Sequence, residues 1–302
     1  MKIAVTGATG FLGKYVVAEL SKQRSSEITL FSSSIAKLID VFGNKNELYE
    51  FVETDYSIES LEKSFCRYDA IIHLAAKRLS SDKSLTNYLE NISITENLLK
   101  LSDKFGVGKI IFASSQGIYR DNIDAKPFVE DNGYGYGYGY GYGYGYSKYI
   151  CEQISRFYRT PFISLRFGQL VGWGERDGFM FTTQLKKIQR NEPLVLWGEG
   201  GGGRDYLYAK DAVGAIMRCL GDDVASDVSY NVSMGGAYSF KEFAEALASV
   251  FGNEDSKIVF DKTKVEDKNI RYMSIEKIER ELKWHPKFSL MTAFEDMKKE
   301  LI

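Results

Sequence analysis

Gly7, Gly10 and Gly13 lie in the stretch TGATGFLG, directly after the short apolar run KIAVTG and at the head of the amphipathic run FLGKYVVAELSK. Glycines in a strand-to-helix turn permit a tight bend, let backbone approach a pyrophosphate, and let the helix pack closely on the strand. The helix N-terminus then faces the anion. The pattern predicts a dinucleotide site. An acidic residue some twenty positions on would grip the adenosine ribose. Here the second strand-like run ends instead in Ser32, Ser33 and Ser34, with Lys37 a turn later. That end does not repel a 2′-phosphate, so NAD and NADP both stay open. The same serines suit a loop that caps a helix beginning near Ile35.

The second suggestive stretch is GYGYGYGYGYGYGYSK, residues 133–148, seven Gly-Tyr pairs running into Ser147 and Lys148. It could be a low-complexity insert, an amyloid-like strand, or part of an active site beneath a repeat. Glycine at alternate positions weakens a strand and leaves one face bare, which disfavours the strand. Metal chemistry is not expected. Cys66, Cys151 and Cys219 are widely spaced among apolar residues, which fits burial in a reducing compartment. His73 and His285 are the two histidines, too few for a multi-histidine site.

These residues need a frame. The chain has 302 residues, 44% hydrophobic, enough for one large domain or two packed ones. A net charge of −2 with both signs interspersed predicts no nucleic-acid or membrane partner. The first apolar run is too short for a signal peptide, and no stretch approaches the ~18–20 apolar residues of a membrane span, so a cytoplasmic location is expected.

Strand-like KIAVTG, EITLF, YDAIIHLAA and VGKIIFASS alternate with helix-like segments, including SLTNYLENISITENLLKLSDKFG. That helix carries Leu85, Tyr88, Leu89, Ile92, Thr95 and Leu99 on one side. The alternation predicts an α/β fold with a doubly wound parallel sheet. A further helix, SKYICEQISRFY, is expected from Ser147 as N-cap, with Ile150, Cys151, Ile154, Phe157 and Tyr158 apolar. PFISLRF is the next strand. Beyond it mixed short elements, then helices SFKEFAEALASVFG and SIEKIERELK, predict a smaller α/β lobe at the C-terminal edge. Residues 1–165 are expected to form the dinucleotide-binding domain and residues 166–302 mainly the substrate-binding lobe, with some segments returning to the sheet. Ligands in such folds sit beyond the carboxyl ends of the strands.

The chain resembles the extended short-chain dehydrogenase/reductase superfamily, in its NAD-dependent epimerase/dehydratase branch. The resemblance rests on TGATGFLG, TDYS, IIHLAA, FASSQGIY, YGYSK, LRFGQLVGWGERDGF, GRDYLYAKDAV, YNVS and the tail IEKIERELKWHPKFSLMTAFE, nine motifs in order over nearly the whole chain. It implies a Rossmann domain that holds NAD, or NADP, with Gly7, Thr9, Gly10, Phe11, Leu12, Gly13, Ser32, Asp55, Tyr56, Leu74, Ala75, Ala76 and Asn91. Tyr144 and Lys148 join that set. Asp55 would meet the adenine.

The family's catalytic signature is Tyr-x-x-x-Lys at the start of a helix, which falls on Tyr144 and Lys148. Residues i and i+4 share a helix face. The ammonium therefore lies near the phenol and lowers its pKa from ~10 towards working pH. Alignment of FASSQGIY gives Ser115 the accompanying hydroxyl, with Ser114 beside it. The remaining tyrosines of the repeat read as aromatic anchors in a glycine-softened loop. Adding or removing a Gly-Tyr pair would leave YGYSK unchanged.

Family dehydratases follow the strand-5 hydroxyl with Asp-Glu, and decarboxylases use a Glu there. This chain has Gln116 and Gly117, which do no general acid–base work. The resemblance then implies a nucleotide-sugar epimerase, acting at C4 through a transient keto-sugar. A keto-sugar reductase or dehydrogenase is the alternative, and a non-catalytic dinucleotide-binding sensor a third reading. Gln169, where the family has Asn, and Arg204 after four glycines are the substrate-side candidates. Arg204 suits a diphosphate, against a surface ion pair with Asp205 or Asp211. Arg271 and Lys264 lie near the family's second diphosphate arginine. Trp173 and Trp197 line the lobe or fill its core. His73 is read as structural. A homodimer is expected through the helices at 85–105 and 147–159.

Overall fold

The computed structural model describes residues 1–23, 26–44, 48–77, 85–119, 126–132, 142–221 and 224–301. In chain order the first elements are β1 (Lys2–Thr6), α1 (Phe11–Leu20), β2 (Glu27–Ser32), α2 (Ile35–Phe42), β3 (Tyr49–Glu53), α3 (Ile58–Glu62), β4 (Ala70–His73), α4 (Leu85–Phe105), β5 (Ile110–Ser115), α5 (Tyr142–Ile154) and β6 (Phe162–Phe167). There follow β7 (Gln169–Val171), α6 (Met180–Gln189), β8 (Leu194–Trp197), β9 (Gly203–Arg204), β10 (Tyr206–Tyr208), α7 (Ala209–Arg218) and β11 (Val228–Val232). The last are β12 (Tyr238–Ser239), α8 (Phe240–Phe251), β13 (Ile258–Asp261), β14 (Ile270–Arg271), α9 (Glu276–Leu282) and α10 (Leu290–Lys299).

The chain divides into two compact units that interleave along the sequence. The first comprises Met1–Asn122, Glu130–Arg166 and Val213–Tyr230; the second comprises Ile123–Val129, Phe167–Ala212 and Asn231–Ile302.

A seven-stranded sheet in the order β11-β6-β5-β4-β1-β2-β3 organises the first unit. β1 pairs in parallel with β2 and β4, and β2–β3 and β4–β5 are parallel too. β4 and β6 are buried at every residue, as a sheet covered on both faces requires. α1 buries Leu12, Val16, Val17 and Leu20, one stripe at helical spacing. Phe31, Leu61, Tyr68, Ile71, Leu98 and Phe112 sit together in the core. The strand order reverses direction between β1 and β4, so the crevice of a doubly wound sheet must open at their carboxyl ends.

β3, α3 and α10 are additions to the sequence reading. β3 is short and only Phe51 and Val52 are buried, so its pattern is faint. The start of α5 differs as well. The helix begins at Tyr142, and Ser147 is not its cap but a buried residue whose hydroxyl donates to the Tyr144 carbonyl at 2.8 Å. Glycine is a poor helix former, by roughly 1 kcal/mol relative to Ala, so the repeat reads as loop. Close packing of Gly143 and Gly145 overrides that preference. Repeat residues 133–141 lie outside the described residues. Phe157, expected on the apolar face, is exposed, as is Leu89 on α4.

The second unit is built from α6, α8 and α10 and from small sheets: β10–β7 parallel, β8–β13 parallel, and β9 between β12 and β14. Trp173, Phe181, Phe243, Phe251 and Phe294 form its aromatic core, where the Trp173 indole donates to the Met297 carbonyl at 2.8 Å. The buried Asp205 carboxylate accepts the backbone N–H of Met234 at 2.8 Å and of Met273 at 3.0 Å, tying two loops to β9. Among the described residues no helix is long and apolar enough to cross a membrane.

Candidate active site and dinucleotide cleft

A cleft of about 660 Å³ opens where β1 and β4 part. Gly7, Thr9 and Gly10 after β1 line it, with Ser32 and Ser33 at the end of β2, Asp55, Tyr56 and Ser57 after β3, and Leu74, Ala75, Ala76 and Lys77 after β4. Gly7 has φ +71°, and a β-carbon there would stand 2.7 Å from the Ala75 nitrogen. Only glycine fits. A β-carbon on Gly13 would stand 2.6 Å from the Ala8 carbonyl oxygen, so this third glycine lets α1 close on the turn. Gly10 caps α1 without a side chain, and the first turn of α1 has no acidic residue. Backbone N–H groups and the positive end of the helix dipole are left to face the cleft. The cradle fits a pyrophosphate.

Nine of the sequence-predicted cofactor residues line this cleft: Gly7, Thr9, Gly10, Ser32, Asp55, Tyr56, Leu74, Ala75 and Ala76. Leu12 and Gly13 are buried at the α1 packing surface instead. Asn91 is buried behind the wall, bonded to the Lys77 backbone and to the Ser147 hydroxyl at 3.5 Å. The sequence reading missed Glu90, Ser93, Ile94 and Asn97, which line the cleft from α4. Their spacing of i, i+3, i+4 and i+7 marks one face, and three polar residues along it are the signal that was available.

At the β2–β3 end the Ser57 hydroxyl donates to the Asp55 carboxylate at 2.6 Å and its N–H at 2.9 Å, which together hold the carboxyl below its ordinary range. Tyr56 has φ +64°, unusual for a bulky residue. Asn97 donates to its carbonyl at 2.9 Å, and burial pushes its phenol up to about 12.

Ser115 ends β5, and Tyr144 and Lys148 lie on α5 in the same unit. Lys148 is buried; its ammonium donates to the Ala113 carbonyl at 2.6 Å and lies 4.4 Å from the Phe112 ring centre and 5.6 Å from that of Tyr144. The Ser115 hydroxyl oxygen accepts the Gly117 N–H at 3.0 Å. His73 is clamped between the Thr6 hydroxyl (2.7 Å) and the Thr95 hydroxyl (3.1 Å). Burial first, and the Lys148 charge second, push His73 down to about 3, so its ring is neutral at working pH.

Behind Ser115 runs a buried ionic network. Glu152, one helical turn after Lys148, accepts the Ser114 hydroxyl at 2.6 Å and a two-point grip from Arg166 on β6, 2.6 Å at Nη2. Arg166 also donates to the Glu130 carbonyl at 2.8 Å and to the Tyr119 hydroxyl at 2.5 Å. β5, α5 and β6 are thereby fixed to one another by satisfied charges. The buried Cys151 and Cys219 thiols are pushed up to about 11 and about 12 by burial, which leaves them unreactive.

The second unit has its own cleft of about 570 Å³, lined among others by Lys187, Val195, Trp197, Phe240, Glu266 and Asp267. Trp197 is exposed there, whereas Trp173 belongs to the core. Arg204 pairs with neither Asp205 nor Asp211 but with Asp267, at 2.6 Å, and lies 5.1 Å from the Phe240 ring centre. β9 and β14 place Arg271 in register beside Arg204, and it reaches the same Asp267 oxygen at 3.2 Å. Burial alone would raise the Asp267 carboxyl; the Arg204 hydrogen bond, the Asn269 N–H and both guanidinium charges hold it well below its ordinary value. The Gln169 amide donates to Glu175 at 3.3 Å.

Sheet order, glycine cradle and crevice together define a Rossmann-type α/β enzyme. Residues 3–233 match the NAD dependent epimerase/dehydratase family, and the chain belongs to it. A UDP-glucose 4-epimerase 2 from Arabidopsis thaliana is 26% identical over 328 residues, covering 98% of this chain and 93% of that protein. A dTDP-4-dehydro-6-deoxyglucose reductase from Escherichia coli is 26% identical over 301 residues, covering 94% and 92%. Among solved structures, the UDP-N-acetylglucosamine 4-epimerase from Bacillus cereus superposes with a TM-score of 0.84 at 27% identity, covering all of this chain and 96% of that one.

Proposed function

We propose that the protein is a nucleotide-sugar 4-epimerase that uses NAD. The observation that carries this is the Lys148 ammonium, buried and fixed at β5, beside the Tyr144 ring 5.6 Å away. The cation favours the phenolate, so Tyr144 takes the proton of the sugar C4 hydroxyl and later returns it. Ser115, whose oxygen already accepts the Gly117 N–H, turns its own proton to the same sugar oxygen. NAD, when bound, supplies the site that accepts the C4 hydride and gives it back. The transient 4-keto sugar turns between the two transfers and so receives the hydride on its other face. Gln116 and Gly117 offer no acid or base for water loss.

The cleft favours NAD over NADP. Asp55 stands at its adenosine end, and among the described lining residues the one cation is Lys77, paired with Glu90. At the β2 end, where the ribose 2′-hydroxyl is expected, Ser32 and Ser33 offer no cation to a 2′-phosphate. On the substrate side, Arg204 and Arg271 in register suit the two phosphates of a nucleoside diphosphate, and the cleft beside Trp197 and Phe240 suits its base. Gln169 belongs to this second unit as a candidate substrate contact. Exposed Leu89, Tyr146 and Phe157 on or just beyond α4 and α5 suit the interface of a homodimer.

The keto-sugar reductase reading is kept because the Escherichia coli relative carries that name. One experiment separates the two. The protein is incubated with NAD and UDP-glucose, UDP-N-acetylglucosamine and other UDP-, dTDP- and GDP-sugars, and in parallel with NADH and a dTDP-4-keto sugar, and the products are read by proton NMR. A 4-epimer formed without net consumption of NAD is expected. Stoichiometric oxidation of NADH by a 4-keto sugar, with no epimer from any of the panel, would make it a reductase.

A further inference from the structure

The last two glycines of the Gly-Tyr repeat flank Tyr144, and neither is spacer. A β-carbon on Gly143 would overlap the ring of Tyr88, a buried residue of α4. A β-carbon on Gly145 would overlap the Gly117 carbonyl, lying 2.7 Å from its carbon. No left-handed φ is recorded at either position, so conformation does not demand glycine there. Both lie inside α5, where alanine would be the better helix former by roughly 1 kcal/mol. What demands glycine is close approach. Positions 143 and 145 are about 200° apart around the helix axis, so the first turn of α5 is gripped from opposite sides. Tyr88 closes on one side and the turn after Ser115 on the other.

Tyr144 lies between the two contacts in sequence, about 100° around the axis from each. Gly117 is at once the residue that abuts Gly145 and the one whose N–H holds the Ser115 hydroxyl. Lys148 is anchored separately, to Ala113 on β5. A methyl group forced into either contact would shift the first turn while the ammonium stayed in place. Attraction between phenolate and ammonium falls with that distance.

We propose that Gly143 and Gly145 are positioning residues that fix the Tyr144 phenol against Lys148 and Ser115, and that the repeat is tied to function through these two glycines. The proposal rests on the reading of Tyr144 as the acid–base residue. It also explains how whole Gly-Tyr pairs could be gained or lost upstream without harm: the pair of contacts and the spacing to Lys148 both survive.

The test is a pH titration of the full chain labelled with 13Cζ-tyrosine, the 144 signal being identified by its loss in Tyr144→Phe. In the unsubstituted protein the 144 phenol is expected to titrate below the ordinary ~10. Gly145→Ala and Gly143→Ala should each move it up by about one pH unit or more, a tenfold loss of phenolate preference. Tyr88→Ala should reverse the shift caused by Gly143→Ala and not the one caused by Gly145→Ala, because the second clash is with backbone. Should Gly145→Ala fail to fold, Gly143→Ala with and without Tyr88→Ala carries the test. A 144 phenol that keeps its titration in Gly143→Ala or Gly145→Ala, or a Gly143→Ala shift that Tyr88→Ala leaves in place, overturns the proposal. An unsubstituted 144 phenol at or above ~10 instead removes the acid–base reading, and the positioning role falls with it.

Discussion

Asn91 holds Lys77 by both of its backbone polar groups: the side-chain oxygen accepts the Lys77 N–H at 2.7 Å and the amide donates to the Lys77 carbonyl at 2.9 Å. A single buried amide thus replaces the ladder partners that the chain loses as it leaves β4. The segment it steadies, Leu74 to Lys77, is one wall of the dinucleotide cleft. Asn91→Ala should therefore lower stability by about 1–3 kcal/mol for the unsatisfied groups and weaken NAD binding without removing any group from the cleft surface. Urea unfolding and NAD titration by tryptophan fluorescence check both effects. Unchanged NAD affinity would show that the wall holds without the clamp.

Gly7 and Gly10 should separate in their effects. Alanine at 7 meets backbone at 2.7 Å and an unfavourable φ, so Gly7→Ala should damage the fold and cofactor binding together. Alanine at 10 meets only the Gly7 carbonyl oxygen, at 3.1 Å. Gly10→Ala should fold normally and lose NAD affinity, since its methyl enters the space beside the α1 N-terminus. Melting curves with and without NAD read the difference: a normal melt with no shift on adding NAD is expected for Gly10→Ala.

Two buried groups should pull the pH dependence of the two units in opposite directions. His73 has its pKa lowered from 6.5 to about 3, so the unfolded chain takes up a proton that the folded one refuses; the first unit should lose stability as pH falls from 6.5 towards 3. Asp205, raised from 3.8 to about 7 mainly by burial, works the other way, and the second unit should lose stability as pH rises from about 4 to 7. Hydrogen exchange at pH 4.5 and pH 7 resolves the units. His73→Gln should flatten the response of the first, and Asp205→Asn that of the second.

The parts of this protein that were legible in its sequence are those fixed by local rules. The glycine turn and the strand–helix alternation each act within a few residues, and each lies where the sequence put it. Ser34 even caps α2, as its position before Ile35 suggests, accepting the Lys37 N–H at 3.4 Å. What was not legible depends on approach between distant segments. Helical structure from Tyr142 requires Tyr88 and Gly117 to be in place, and no propensity reports that. Asp267 as partner of Arg204 depends on the β9–β14 register, which two-residue strands do not announce. The α4 contribution to the cleft was hidden because polar residues cover most of that helix, so Glu90, Ser93 and Asn97 do not stand out from its solvated side.

In the proposed mechanism the chemistry turns on Lys148. Its ammonium is buried, bonded to the Ala113 carbonyl and beside the Tyr144 ring, so its charge is screened little by solvent. If Tyr144 moves the proton as proposed, Tyr144→Phe should cut turnover by roughly two to four orders of magnitude. Lys148→Met keeps the phenol and removes the cation, so a loss of similar size is expected near neutral pH for a different reason: too little phenolate. The two variants part at high pH. With the cation gone the phenol returns towards ~10, and Lys148→Met should recover activity as pH rises towards that value, while Tyr144→Phe should not. His73 should not titrate in this range, because burial keeps its ring neutral well below it. A pH–rate profile from 6 to 10.5 on the epimerised sugar reads the outcome. If Lys148→Met stayed flat across that range while still binding NAD, the lysine would serve substrate or cofactor binding and not the ionisation of Tyr144.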